Sequence, residues 1–487
     1  MTDLESSDPL IKTELDPNIF YGFTRSICPN CKKTIDAQIL IRDNRVIMKK
    51  YCSTHGHYEV LLSSDFDHYR YSERFNKPGV KKLEYQTQVE KGCPVDCGVC
   101  PEHKQHTCLG ILEITSRCNL KCPICFAESG GKAGVDLPFE VVERMIETLR
   151  RSEEQVEIIQ LSGGEPTLHQ DLIAIIQKCK EADVAQIMIN TNGRKFAQSL
   201  EFCKKVRDAG TTSIYLQFDG FQESTYEKLR GNPNLLKEKL QAIDNLTHVG
   251  FPLTLVMTVV EGVNDQEIGS IIRFMHETKR LTGLTLQPVM AAGRHNLEYD
   301  PMNHITIPDV IKLIEEQTAQ TNHAYIKSDF FPIPCPYPLC SSCCFSYIDP
   351  DSLEFTTIKR LVELEDYLEF FSNKTLPTNA EEAIIDALNE LFSMATTPGS
   401  NKLIENYCQA CGIDMNLTSI QDTIQEYLDH VKMIMIKPFQ SAWDLDIKRL
   451  MKCCIHEVLP DGKIMPFCAY NAIYREKYNL EDYIAQK

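Results

Sequence analysis

The chemistry in this chain is carried by its cysteines. Cys118, Cys122 and Cys125 stand in the run Thr115-Ser-Arg-Cys-Asn-Leu-Lys-Cys-Pro-Ile-Cys-Phe-Ala. A CxxxCxxC loop supplies three thiolates, one fewer than the irons of a [4Fe–4S] cube. The fourth iron is then left for an exchangeable ligand, the arrangement of a metal site that performs a reaction. Three polar turns follow: Ser162-Gly163-Gly164-Glu165-Pro166, Asn190-Thr-Asn192-Gly193 and Gln217-Phe-Asp219-Gly220. Paired glycines let a backbone turn tightly and approach a ligand closely. The second turn can hydrogen-bond a ribose. Any one of them reads as a strand-terminating turn; with the cysteine loop they describe one polar mouth.

The remaining cysteines fall in groups. Cys28-Pro-Asn-Cys31 and Cys52-Ser-Thr-His55 flank a β-like stretch, residues 37–48, with a turn at Asp43-Asn44. Two knuckles facing each other across a hairpin build a tetrahedral site, which suits zinc as well as a rubredoxin-type iron. Cys28, Cys31 and Cys52 are the expected ligands, with His55 as the fourth. Cys93-Pro-Val-Asp-Cys97-Gly-Val-Cys100, followed by Cys108, supplies four thiols within sixteen positions. They read as the ligands of one cube, with a second zinc site as the alternative. Farther on stand Cys335, Cys340, Cys343, Cys344, the pair Cys408/Cys411, Cys453, Cys454 and Cys468. Cys179 and Cys203, isolated in helical patterns, read as small buried hydrophobes.

Elements that could position these groups emerge from periodicity. Strand-like segments at 110–115, 156–161, 185–190, 213–218, 252–260 and 283–289 alternate with helical patterns at 138–152, 170–182 and 198–209. This is the signature of a parallel β/α architecture. Six strands with crossover helices make either a partial (β/α)6 TIM-like barrel or an open doubly wound sheet, and the cysteine loop and the turns fall at strand C-terminal ends, where such folds place their chemistry. Helices are further expected at 379–394 and 419–435. The expected organisation is a metal-knuckle module at 1–60, a second cysteine segment at 61–108, the β/α core at 109–300 and a cysteine-rich α+β region at 301–487.

Composition narrows the class. In a chain of 487 residues with 21 cysteines and no apolar leader, grouped cysteines read as metal ligands rather than disulfides. No run of residues is long and apolar enough to span a membrane, and a cytoplasmic location is expected. The formal net charge of −17 disfavours nucleic acid and allows at most peripheral membrane contact. No Walker loop or Ser-His-Asp constellation competes with the cluster reading. His55, His103, His106, His169, His295 and His456 lie near motifs. For those other than His55, and as the alternative for His55 itself, the expected role is a hydrogen-bonded structural one.

The CxxxCxxC triad, the GGEP turn and the strand-end NTNG, in this order and spacing, resemble the radical S-adenosylmethionine (SAM) superfamily. The resemblance implies that Cys118, Cys122 and Cys125 hold the cluster and that its open iron binds the amino and carboxylate groups of SAM. It places Ser162, Gly163, Gly164, Glu165 and Pro166 at the methionine end of SAM, and Asn190, Asn192, Gln217 and Asp219 near the ribose or the substrate. One electron then cleaves the sulfonium, and a 5′-deoxyadenosyl radical abstracts hydrogen from an unactivated carbon. An electron donor such as ferredoxin or flavodoxin follows.

The flanking cysteine segments, Gly92–Cys108 and Cys453-Cys-Ile-His-Glu-Val-Leu-Pro-Asp-Gly-Lys-Ile-Met-Pro-Phe-Cys468, resemble the tetraether lipid synthase group. Some of its members are described as dihydropterin methylases. This resemblance implies three [4Fe–4S] clusters and one rubredoxin-like iron. One auxiliary cube would sit at Cys93, Cys97, Cys100 and Cys108. The other would use Cys335, Cys340 and Cys468, with Cys454 or its neighbour Cys453 completing the set and the remaining one of the pair unused. The leading expectation for function is C–C bond formation between lipid alkyl chains. The alternatives are radical methylation of a pterin or other small molecule, and a non-catalytic iron–sulfur carrier or sensor, which would need no SAM-binding turns.

Overall fold

The computed structural model describes residues 18–130, 134–349, 354–361 and 430–478, together with 480 and 483. The expected helix at 379–394 and the pair Cys408/Cys411 lie outside the described residues.

The N-terminal part is a four-stranded antiparallel meander, β1 (Ile19–Ile27), β2 (Thr34–Arg42), β3 (Arg45–Cys52) and β4 (Gly56–Ser63). Its buried face carries Ala37, Ile39, Val46, Met48 and Val60, on which Tyr69 of α1 (Phe66–Glu73) packs. The period-2 pattern of these strands needs one covered face, and α1 supplies part of the cover. The turn between β2 and β3 is built on Asp43 and Asn44, both at positive φ, a conformation these two residue types tolerate.

The core alternates strand and helix as expected: β5 (Leu109–Thr115), the two-residue strand β6 (Ile124–Cys125), α2 (Phe139–Ser152), β7 (Ile158–Gly163), α3 (Leu172–Glu181), β8 (Gln186–Thr191), α4 (Arg194–Gln198), α5 (Leu200–Ala209), β9 (Ser213–Gln217), α6 (Glu223–Arg230), α7 (Leu235–Val249), β10 (Leu253–Val259), α8 (Ile268–Glu277) and β11 (Leu281–Pro288). A short β12 (Arg294–His295) pairs with β6, and α9 (Ile307–Thr318) packs on α8. Helix α2 shows why these segments fold so. Its apolar residues Val141, Val142, Met145, Ile146 and Leu149 recur at helical spacing and are all buried against the sheet. Cys179 and Cys203 are buried in the same core.

The C-terminal strands β13 (Ser342–Ile348), β14 (Phe355–Thr357), β15 (Val431–Ile436), β16 (Ile455–Val458) and β17 (Ile464–Pro466) join this same sheet. Its order is β14-β13-β15-β11-β10-β9-β8-β7-β5-β16-β17. From β15 to β16 every neighbouring pair is parallel. One expectation is corrected here. Residues 431–435 were expected to be helical and form part of β15, because Met433 and Met435 alternate with the core residues Ile434 and Ile436 beside β11. The six expected core strands are all present, and β15 and β16 of the C-terminal region extend their parallel set at both edges.

Side chains from all eight parallel strands line one cavity: Ile111, Gln160, Met188, Tyr215, Val256, Thr285, Met435 and Ile455. A flat sheet cannot bring its two edges to one cavity. The sheet therefore curls into a barrel-like trough, which decides between the two architectures left open above.

Candidate active site

The cavity has a volume of about 270 Å³ and runs through the trough to its C-terminal strand ends. Cys118, Cys122 and Cys125 line it, and no other cysteine does among the described residues. The loop that bears them is tied down on three sides. Gly164 N donates to Thr115 O at 2.7 Å and Glu165 N to Arg117 O at 2.8 Å, joining the loop to the GGEP turn. Arg117 reaches Asp136 at 3.0 Å and Leu168 O at 2.6 Å. Arg294 donates to Cys122 O at 2.6 Å and Ser129 O at 2.7 Å while β12 pairs with β6. The two glycines are required by contact. A side chain on Gly163 would meet Thr115 O at 2.2 Å and one on Gly164 would meet Arg117 O at 2.2 Å. Burial raises the Cys118 thiol to about 12 and pushes Cys122 up as well. Cys118 and Cys122 are thus held as neutral thiols, and iron must displace their protons.

The expected SAM-site residues separate into two sets. Ser162, Gly163, Gly164, Asn190, Asn192 and Gln217 line the cavity. Glu165, Pro166 and Asp219 do not, since they are buried behind it. Glu165 accepts hydrogen bonds from Thr167 N, Thr167 Oγ1, Thr191 Oγ1 and Asn192 N, at 2.6 to 3.2 Å. It clamps the GGEP turn to the Asn190–Gly193 turn. Asp219 forms a two-pronged ion pair with Arg230, 2.7 Å at each oxygen, and accepts from Thr258 N at 3.1 Å. Its carboxylate is thus committed to the protein. Arg230, which the sequence did not single out, lines the cavity and also donates to Ile124 O at 3.4 Å. Behind it, Lys239 donates to Asn192 O and Gln217 Oε1, each at 2.5 Å, and burial lowers its pKa to about 8.

In the N-terminal sheet the ligand atoms of Cys28, Cys31, Cys52 and His55 all lie within 4.8 Å of one another. The Cys31–Cys52 sulfurs are 3.9 Å apart, and His55 Nδ1 is 3.6 Å from both Cys28 and Cys52. Bonds of about 2.3 Å to sulfur and 2.0 Å to nitrogen in a tetrahedron require separations of about 3.5–3.8 Å. The group therefore fits a single ion. Backbone N–H donation from Thr54, followed by His55, holds the Cys52 thiol down to about 6.

The auxiliary cysteines group differently from expectation. Cys93, Cys97 and Cys100 line a small cavity of about 20 Å³ with Leu450, Met451 and Pro466, and Cys108 is not part of it. Cys108 instead lies 2.7 Å from Cys335, and Cys454 completes this buried trio within 4.8 Å. The cause is strand pairing. β16 runs parallel to β5, so Cys108 N and Leu109 N both donate to Cys454 O, at 3.0 and 3.1 Å. Neither member of the Cys453/Cys454 pair stands apart from the other cysteines. After burial, the charge of Cys468 is what most raises the Cys453 thiol, with Cys454 and Cys340 contributing. Cys454 joins Cys108 and Cys335, while the Cys453 thiol feels the charges of Cys468 and Cys340. Cys343 and Cys344 are buried in β13.

Comparison with known proteins agrees with this geometry. A radical SAM superfamily profile matches residues 112–275, and an HMPTM N-terminal zinc ribbon domain profile matches residues 20–64. A protein from Methanocaldococcus jannaschii named 7,8-dihydro-6-hydroxymethylpterin dimethyltransferase is 35% identical over 93% of this chain and 94% of its own length. The chain belongs to the radical SAM superfamily. It is an enzyme of that family, which uses a [4Fe–4S] cluster and SAM and needs a reductant. A probable GTP 3',8-cyclase from Pyrococcus horikoshii is 30% identical over 36% of this chain and 54% of its own length. Among solved structures, Streptococcus suis SuiB bound to S-adenosylmethionine aligns over 44% of this chain and 47% of its own, with 16% identity and a TM-score of 0.37. Among the described residues of this radical SAM enzyme, no helix is long and apolar enough to cross a membrane.

Three soft donors facing a cavity, beside a glycine turn that only bare backbone fits, suit a cube with one open iron. The cavity walls beyond that loop were not legible in the sequence: Met188, Tyr215, Met433, Met435, Lys437, Phe439, Ile455 and Phe467. The one signal was the alternation Val431-Lys-Met-Ile-Met-Ile-Lys437, which a helical reading of the preceding segment obscured.

Proposed function

We propose that this enzyme forms a carbon–carbon bond at an unactivated carbon of a lipid alkyl chain. The observation that carries this reading is the character of the cavity. Beyond the polar strand ends most of its lining is apolar, including Leu109, Ile111, Met188, Met433, Ile455 and Phe467. It shares Pro288, Val289, Met290 and Phe439 with a second cavity of about 60 Å³ beside Leu61, Tyr69 and Leu339. The main cavity's apolar walls suit a long hydrocarbon, and the flexible methionines adapt to its shape.

When bound, the cluster and SAM supply the 5′-deoxyadenosyl radical. The proposed ligands at the barrel mouth are Cys118, Cys122 and Cys125. Ser162, Gly163 and Gly164 face the methionine end, and Asn190, Asn192 and Gln217 face the ribose or substrate. Glu165 and the Asp219–Arg230 pair keep these turns in place, and the apolar walls exclude water from the reacting carbon. Cys28, Cys31, Cys52 and His55 would hold one zinc or iron ion. Auxiliary clusters fall to Cys93, Cys97 and Cys100, and to the cysteine-rich zone of Cys108, Cys335, Cys340, Cys453, Cys454 and Cys468. A ferredoxin or flavodoxin would supply the electron.

The test is anaerobic incubation of the reconstituted enzyme with SAM, reductant and membrane lipid. Coupled lipid products are expected by mass spectrometry. 5′-Deoxyadenosine without them would overturn the lipid reading. The second reading is radical methylation of a dihydropterin, favoured by the name of the Methanocaldococcus relative. Co-production of S-adenosylhomocysteine with a methylated pterin would establish it.

A further inference from the structure

Six lysines are buried among the described residues: Lys50, Lys82, Lys239, Lys432, Lys437 and Lys452. Burial of an ammonium is costly unless acceptors replace its water. Five of the six obey that rule. Lys50 donates to Ser26 and three carbonyls, Lys82 pairs with Glu153, Lys239 reaches Asn192 O and Gln217, Lys432 reaches two carbonyls, and Lys452 reaches Asn76 and Pro334 O. Lys437 is the exception. It is 7% exposed, and among the described residues no acceptor lies within hydrogen-bond reach of its Nζ. Its charge acts on the Cys343 thiol, which burial keeps protonated.

Lys437 directly follows β15. Its alternation with Met433 and Met435 turns it to the same face, and all three line the radical-site cavity. The other cations there are already engaged, Arg230 with Asp219 and Arg294 with Cys122 O and Ser129 O. In the sheet order, β10 and β11 separate β15 from β9, the nearest strand whose C-terminal end carries one of the expected SAM-site turns. Among the described residues, a cation without an acceptor thus stands in the wall of the cavity that the cysteine loop and the polar turns also line, within reach of a substrate bound there.

We infer that Lys437 binds an oxyanion of the substrate, a phosphate or carboxylate, and so fixes which carbon meets the radical. The inference deepens the proposed function and rests on the same cavity. A hydrocarbon chain alone would leave this charge uncompensated, so the substrate must bring an anionic group into the cavity with its apolar part.

The test measures calorimetric binding to the anaerobic holoenzyme with SAM present, using two matched pairs: a dialkylglycerol phosphate against the uncharged dialkylglycerol, and a phosphate-bearing dihydropterin against the uncharged pterin. In at least one pair the phosphate is expected to tighten binding ten-fold or more. Lys437→Met should erase that preference and Lys437→Arg should keep part of it, with iron content and melting temperature reporting that both variants fold. For the substrate that turns over, the Met variant should raise KM far more than it lowers kcat. Absence of a charge preference in both pairs, or its persistence in Lys437→Met, would overturn the inference. A preference confined to the pterin pair would support Lys437 while counting against the lipid reading.

Discussion

The N-terminal metal cage and the barrel-mouth cysteine loop use the same donor atom in opposite ways. Cys28, Cys31, Cys52 and His55 converge on one point from two rigid β knuckles, at separations suited to a single ion. Cys118, Cys122 and Cys125 spread along the wall of a cavity and leave one side open. A closed site with four short contacts stores stability. An open site of three thiols needs support from outside itself, and here it comes from Arg117, Arg294, Glu165 and Arg230. Closure distinguishes a structural ion from a reactive one, and the difference can be tested site by site.

The largest expected effect is a clean separation of the two sites. Cys122→Ala should abolish 5′-deoxyadenosine formation and remove about four irons while the N-terminal ion stays. Cys52→Ala should lose only that ion and retain SAM cleavage. Metal analysis with product chromatography reads both, and loss of cleavage in Cys52→Ala would break the comparison.

Next in size is Arg230→Met. Breaking a buried ion pair leaves Asp219 charged and without its counter-ion, at a cost of about 3–5 kcal/mol. Denaturant unfolding should show it, and the cysteine loop should lose its support at Ile124 O. An effect no larger than that of a surface substitution would show that the loop stands by itself.

Glu165→Gln is smaller. The amide keeps one acceptor oxygen but turns a donor toward Asn192 N, a mismatch of about 1–3 kcal/mol. Because Glu165 clamps two turns rather than lining the cavity, SAM affinity should fall more than folding stability. Equilibrium SAM binding compared with the melting temperature distinguishes these outcomes.

The most graded effect is in pH. The Cys52 thiol, held down to about 6, favours thiolate at neutrality, and the stability this gives the empty module is lost as pH falls from the ordinary thiol range through about 6. The Cys118 thiol, raised to about 12, stays protonated until far higher pH. Reconstitution between pH 6.5 and 9 should therefore fill the N-terminal site throughout, while cluster loading rises with pH. Parallel pH profiles for the two would contradict the contrast.

Much of this could be read along the chain. The six central strands, the cysteine loop and the glycine turn are local patterns, set by backbone periodicity and by the few residues that tolerate a tight turn. The N-terminal cage was legible for the same reason, since a CxxC knuckle is nearly a site already. The cysteines after residue 92 were harder. Cys108 sits eight positions from Cys100, yet its neighbours in space are Cys335 and Cys454. Sequence proximity suggested one partner set, and the parallel pairing of β16 on β5 imposed another.

By itself, then, the order of residues determined which side chains could hold iron and where the chain would turn around a ligand, because those properties depend on neighbours a few positions away. Only the folded sheet decided which distant cysteines share a site, which carboxylates are consumed in holding turns together, and which lysine faces the cavity without an acceptor among the described residues. Those outcomes depend on strand register and burial, which couple residues hundreds of positions apart and leave no local trace.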